Sequence, residues 1–182
     1  ENKTSLKSIY KIIFGVSNAM KYLEENDMFH GNLTPSNILI DDNFCPILND
    51  IQLNTLNEIE QTKNAIFMAP EIISGQKASI KSDAYSFGIL IKQMFTANEN
   101  NSNSLLRIPD FLNDIVTNCL NEDVNKRPTF EEIYNQLDKW FMRNKHIQIY
   151  KNKIEGELQC PVTFYRIPKI IVKSPRQLIT DE

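Results

Sequence analysis

Glycine is scarce in this chain, with 5 in 182 residues. None of them fall into a G-x-G-x-x-G spacing, so the sequence contains no glycine-rich loop of the kind whose backbone N–H groups cradle phosphates. Cysteine is rarer still. Cys45, Cys119 and Cys160 are odd in number, far apart and free of any C-x-x-C pair, which excludes a disulfide framework and a zinc knuckle. A reducing, cytoplasmic compartment is the expectation from that usage. Long apolar runs are missing as well. Nothing approaches the ~18 residues of a membrane-crossing helix, and the polar opening Glu1-Asn2-Lys3-Thr4 does not read as a signal peptide. In the basic C-terminal stretch aromatic interleaving is sparse and no zinc-ligand spacing occurs, so nucleic acid is not an expected partner.

What remains is an ordinary globular composition. Hydrophobic residues make up 41% and charged residues 24%, enough for one domain with a real core. The net charge of −3 conceals a division. Residues 1–142 carry 12 Lys/Arg against 19 Asp/Glu, or −7, and residues 143–182 carry 8 against 4, or +4. The chain therefore divides into an acidic domain, 1–142, and a basic C-terminal extension or linker, 143–182. Tyr165, Ile167, Ile170, Ile171 and Val172, set among Pro161, Pro168 and Pro175, suit an extended strap better than a helix.

Apolar spacing gives the elements. Ile9, Ile12, Ile13, Val16, Met20 and Leu23 recur at three and four, predicting an amphipathic helix over 5–26 with Thr4 or Ser5 as N-cap. Ile38–Ile40 and Ile47–Leu48 around Asp41-Asp42-Asn43 predict a short hairpin. Residues 83–96 are apolar on several faces, as a buried central helix should be. Two further amphipathic helices are expected over 110–121 and 130–142, with Pro109 and Arg127-Pro128 as stops. The polar, Asn-rich stretch 97–104, between the central helix and the first of these, reads as a shortened loop.

Five motifs then follow one another in order. His30-Gly31-Asn32-Leu33-Thr34-Pro35-Ser36-Asn37 matches H-R-D-L-x-x-x-N at His, Leu and the last Asn. Thirteen residues on, Asp50-Ile51-Gln52 stands where D-F-G would. Met68-Ala69-Pro70-Glu71 matches A-P-E, Lys81-Ser82-Asp83 opens the apolar helix, and Lys126-Arg127-Pro128 forms a late Arg-Pro block. Each is weak alone, but the set in this order resembles the protein kinase superfamily.

That resemblance covers roughly residues 4–142 and implies a mainly α fold. The fold would be a protein-kinase-like C-terminal lobe with a short β-hairpin at the catalytic loop, the N-terminal lobe being absent from this chain. It also implies roles. In relatives of this pattern an Asp accepts the substrate hydroxyl proton, and here the position holds Asn32. A Lys that touches the transferred phosphate is replaced by Thr34, and the Arg that reads an activation-segment phosphate by Gly31. Asn37 and Asp50 stand at the metal-ligand positions, and Leu39, Leu90 and Met94 at those beneath an adenine base. His30, Ile51, Glu71, Asp83 and Arg127 stand at fold-supporting positions, Glu71 and Arg127 as an ion pair. Gln52 replaces a Gly whose freedom at positive φ lets that segment move. Plainer roles fit the same residues: Asp50 capping a turn, Asn37 bonding the loop backbone, the three apolar residues as simple core.

The expectation is a catalytically impaired kinase-like domain, a pseudokinase acting as a scaffold or interaction module with a protein partner. Two alternatives stay open: a degenerate serine/threonine-type kinase domain with residual phosphotransfer, and a purely structural domain of a larger protein. ATP with Mg2+ is implied as cofactor only if an N-terminal lobe is present.

Overall fold

The structure is a computed structural model and describes residues 6–42, 44–51, 65–96 and 107–143. Gln52, the Asn-rich stretch, the expected caps Thr4 and Ser5 and the basic extension lie outside the described residues. Helix α1 spans Leu6–Glu25. Its apolar stripe, Ile9, Ile13, Val16, Met20 and Leu23, is buried, because a 3.6-residue turn stacks residues three and four apart on one face. The helix ends in two reverse bonds, Met28 N–H to the Leu23 carbonyl and Asp27 N–H to the Glu24 carbonyl, with Asp27 at φ +55°. Asp takes the left-handed closing position that Gly usually fills.

Strands β1, Ile38–Ile40, and β2, Pro46–Leu48, form an antiparallel pair in the register Ile38 to Leu48. The Asp41 carboxylate fixes the turn between them by accepting from Cys45 N–H at 2.7 Å. Gly15 lets α1 pack flush against this hairpin: a Cβ there would stand 2.5 Å from Pro46 Cγ, closer than two carbons can approach.

After the short helix α2, Pro70–Ile73, comes the central helix α3, Ile80–Thr96. It begins three residues before the position expected from the apolar pattern. The reason is a cap: Ser79 N–H donates to Ser82 Oγ at 2.9 Å while Ser82 N–H donates back to Ser79 Oγ at 3.3 Å, a reciprocal arrangement that satisfies free helix-start donors. Phe87, Leu90, Ile91 and Phe95 of α3 lie in the core, each worth about 1.5–3 kcal/mol when fully buried.

Helix α4, Asp110–Cys119, packs on α3, and Gly88 permits the approach, since a Cβ there would meet the Cys119 Cβ at 2.9 Å. Helix α5, Phe130–Arg143, packs on α1. It starts on a capping box in which Thr129 N–H donates to Glu132 Oε2 at 2.8 Å and Glu132 N–H to Thr129 Oγ1 at 3.1 Å. The result is mostly helical with one small two-stranded sheet. Among the described residues no helix is long and apolar enough to cross a membrane.

Candidate functional site

The loop between α1 and β1 is held from beneath by α3. His30 N–H donates to Asp83 Oδ2 at 2.6 Å and Gly31 N–H to Asp83 Oδ1 at 2.9 Å. Gly31 sits at φ +76°, a conformation open to Gly at little cost. Asp83 is wholly enclosed. Burial pushes its carboxyl up to about 7, with the two loop N–H groups pulling the other way.

His30 is also fully buried. Its Nδ1 accepts from Asn32 N–H at 3.3 Å, which places the ring proton on Nε2, an atom with no hydrogen-bond partner among the described residues. Burial lowers its pKa to about 4. The loop backbone, the Asn49 carbonyl and the Asp50 charge offset only part of that cost. His30 is therefore a neutral packing residue at physiological pH.

Around this anchor stand the polar residues of the loop. Asn32 is half-buried, and its backbone carbonyl accepts from Asn37 Nδ2 at 2.8 Å. That bond engages the nitrogen end of the Asn37 amide, and Oδ1 is the end suited to a cation. Asn37 in turn is tied to the far end of the hairpin, because Asn49 N–H donates to the Asn37 carbonyl at 2.9 Å. Asp50 is next in the chain. It is exposed and held at φ +54°, a left-handed conformation costing roughly 1–2 kcal/mol outside Gly. Among the described residues no three His, Cys, Asp or Glu side chains converge on one point. A carboxylate and an amide oxygen are a donor pair that suits Mg2+, which retains waters and takes further oxygens from a phosphate.

Thr34 points inward. It is buried, and its Oγ1 is 2.8 Å from Ser36 Oγ. A hydroxyl pair thus occupies the position where the sequence resemblance calls for an ammonium group. Between this loop and Phe67, Met68 and Ser86 lies a cavity of about 30 Å³, room for little more than water.

The three residues proposed as an adenine floor do not share a surface. Ile12, Ile38, Ile40, Leu90 and Met94 line an apolar groove of about 340 Å³ between α1, β1 and α3. Leu39 is not in it. Successive residues of a strand face opposite sides, so Ile38 and Ile40 turn into the groove while Leu39, 51% exposed, faces away. Ile51 is half-buried against the core.

A second anchor lies on the far side of the loop. Arg127 Nη1 donates to Glu71 Oε1 at 2.6 Å and Nη2 to Glu71 Oε2 at 2.8 Å, a bidentate pair. The guanidinium also donates to the Lys81 carbonyl at 3.1 Å and the Asn121 carbonyl at 2.8 Å, with the Tyr85 ring 5.1 Å away. Burial raises the Glu71 pKa, but the hydrogen bonds and charge of Arg127 outweigh it and the net shift is downward. Sequence reasoning missed the Lys81 and Asn121 carbonyls, which carry no side-chain signature. It also missed Pro46 against Gly15, for which a glycine inside an apolar helical stripe was the available signal.

Comparison with known proteins adds an independent finding. A family model described as protein tyrosine and serine/threonine kinase matches residues 1–105. The chain is 30% identical over 155 residues to a probable serine/threonine-protein kinase of Dictyostelium discoideum, covering 73% of this chain and 12% of that protein. It is 30% identical over 142 residues to a LEAF RUST 10 disease-resistance locus receptor-like protein kinase-like protein of Arabidopsis thaliana, covering 66% and 16%. Cysteine-rich receptor-like protein kinase 44 of the same plant is 31% identical over 126 residues, covering 62% and 33%. The chain thus spans 12% to 33% of the length of these three relatives.

Proposed function

Since the chain belongs to the protein tyrosine and serine/threonine kinase family, we propose that it is a pseudokinase: the large lobe of a kinase domain, residues 1–142, whose loop is kept in shape for binding a protein partner and not for phosphoryl transfer. The observation that carries this reading is Asn32. Its amide has no lone pair basic enough to take a hydroxyl proton near neutral pH. Loss of a general base costs ~10²–10⁴ in rate, and kinases with intact sites turn over at ~1–100 s⁻¹. Thr34, neutral and engaged with Ser36, leaves developing phosphate charge without the cation that would stabilise it. The anchor that holds the loop, Asp83, is retained, and so is the fold-supporting Glu71–Arg127 pair.

One observation favours residual nucleotide binding as the second reading. The Asn49 N–H to Asn37 carbonyl bond ties Asn37 to the strand end that leads into Asp50, which supports pairing these two residues. In that reading Asn37 Oδ1 and the Asp50 carboxylate would hold the Mg2+ of a bound nucleotide, and the ion would neutralise phosphate charge. The relatives' greater length leaves room for a third, a structural domain within a larger protein. Thermal melting with and without Mg-ATP separates the first two. The pseudokinase scaffold predicts an unchanged melting temperature, and a rise that Asp50→Ala abolishes would establish the nucleotide site.

A further inference from the structure

Helix α3 carries both walls of the small cavity beside the loop. Asp83, in its first turn, accepts from His30 and Gly31 N–H and so fixes the loop wall. One turn on, Ser86 donates to the Phe67 carbonyl at 2.7 Å and fixes the opposite wall, residues 67–69. Positions i and i+3 of a helix lie on one face. The two anchors therefore stand together on the cavity floor, and a single turn of α3 sets the spacing of the walls.

Three side chains around that floor keep hydrogen-bonding capacity in reserve. A carboxylate offers several lone-pair sites. The Asp83 carboxylate receives the two loop N–H groups, and among the described residues no basic side chain forms an ion pair with it. Ser86 directs its one proton at the Phe67 and Ser82 carbonyls, 2.7 and 3.1 Å away, which leaves its lone pairs as acceptors. Thr34 Oγ1 is 2.8 Å from Ser36 Oγ, with either as donor, so when Ser36 donates the Thr34 proton is left for the cavity. Thr34, Asp83 and Ser86 are each more than nine-tenths buried, and all three line the space. Its volume of about 30 Å³ exceeds the ~10–15 Å³ that one water requires and falls far below the ~300–1,000 Å³ of small-molecule sites.

We propose that this cavity is a binding site for one water molecule, which accepts from Thr34, donates to Asp83 and Ser86, and so joins the loop to residues 67–69. Three hydrogen bonds are the usual complement of a water held inside a protein. When Asp83 carries a proton, that proton goes to the second lone pair of the water, so the site serves both states of the carboxyl. A partner that reaches between the loop and residues 67–69 must reproduce these bonds or leave the water in place, because displacing an ordered water without replacing its bonds loses affinity. The water site itself does not rest on the pseudokinase reading.

Two measurements on the 182-residue chain test it. In a crystal structure that resolves ordered solvent, one peak should stand within hydrogen-bond distance of Thr34 Oγ1, the Asp83 carboxyl and Ser86 Oγ. In solution, the amide protons of Gly31, Asn32 and Met68, all residues of the cavity wall, should show cross-peaks at the water frequency with the sign of long-lived hydration. Ile72→Phe, at a half-buried position on the same wall, should abolish both signals by filling the space. Thr34→Val keeps the side-chain shape while removing one partner, and should weaken the cross-peaks severalfold; it carries the test where the larger ring is not accommodated. A crystal without the peak, its wall side chains being ordered, would overturn the proposal. So would cross-peaks as strong in both variants as in the parent, and a crystal peak too large for a single water.

Discussion

Arg127→Ala removes a guanidinium that reaches three separate parts of the fold. The side chain is fully buried, so its loss strands the Glu71 carboxylate and removes a donor from the Asn121 carbonyl, while the Lys81 carbonyl, inside helix α3, keeps its place in the helical ladder. Breaking a buried pair from one side costs ~3–5 kcal/mol, and the Asn121 carbonyl loses its Arg127 donor as well. For a domain of this size that is a fall in melting temperature of about 10–20 °C. Urea denaturation should show a lower midpoint with an unchanged slope. The Glu71 pKa offers a second readout: burial raises it, and with the hydrogen bond and charge of Arg127 gone only a backbone hydrogen bond still opposes burial, so the carboxyl should titrate higher than in the parent. Arg127→Leu combined with Glu71→Leu should recover part of the loss, because no charge is then stranded. Recovery stays partial, since the Asn121 carbonyl still lacks the Arg127 donor. Arg127→Ala melting like the parent, or a double variant no better than the single, would refute the reasoning.

Asn32→Asp should restore no ordinary kinase rate, because Thr34 and Gly31 still lack the charges that the reaction uses; radiolabelled phosphotransfer at ordinary speed would reduce the impairment to one lost base. Gly15→Ala should destabilise by about 1–3 kcal/mol, since the new methyl group would meet the Pro46 ring at 2.5 Å; a neutral result in chemical denaturation would mean that the hairpin shifts without cost. The two buried titrating groups oppose each other in pH. The folded state refuses a proton at His30 between about 4 and its ordinary 6.5, so that group makes stability rise with pH in this window. Asp83 keeps a proton up to about 7 against an ordinary 3.8, so it makes stability fall over the same range. Parent stability should therefore be nearly flat from pH 4 to 6.5, while Asp83→Asn should gain about 3 kcal/mol across it from His30 alone. A flat profile in that variant would sink the assignment.

Much of the fold was legible because helices that bury one stripe repeat at three and four, as Ile9 to Leu23 do. The ion pair was legible too, because Glu71 and Arg127 each stand in a short motif beside a proline. Elements shorter than a repeat were not. Helix α2, four residues long, has no period to read, and the early start of α3 depended on two serines exchanging bonds. The groove was not legible, because position in a motif names Leu39 while strand alternation turns Ile38 and Ile40 inward. Close approach leaves the faintest trace, since Gly15 does not name the proline that it meets.

The bonds that hold the loop are long in sequence. His30 and Gly31 reach Asp83 across 53 and 52 positions, and Glu71 reaches Arg127 across 56. Contacts of that span require the loss of chain entropy to be met before they form. The loop therefore takes its shape late in folding, after α1 and α3 have docked. During synthesis it cannot be held until residue 83 has left the ribosome, and variants that weaken these bonds should mainly speed unfolding while leaving the folding rate nearly unchanged.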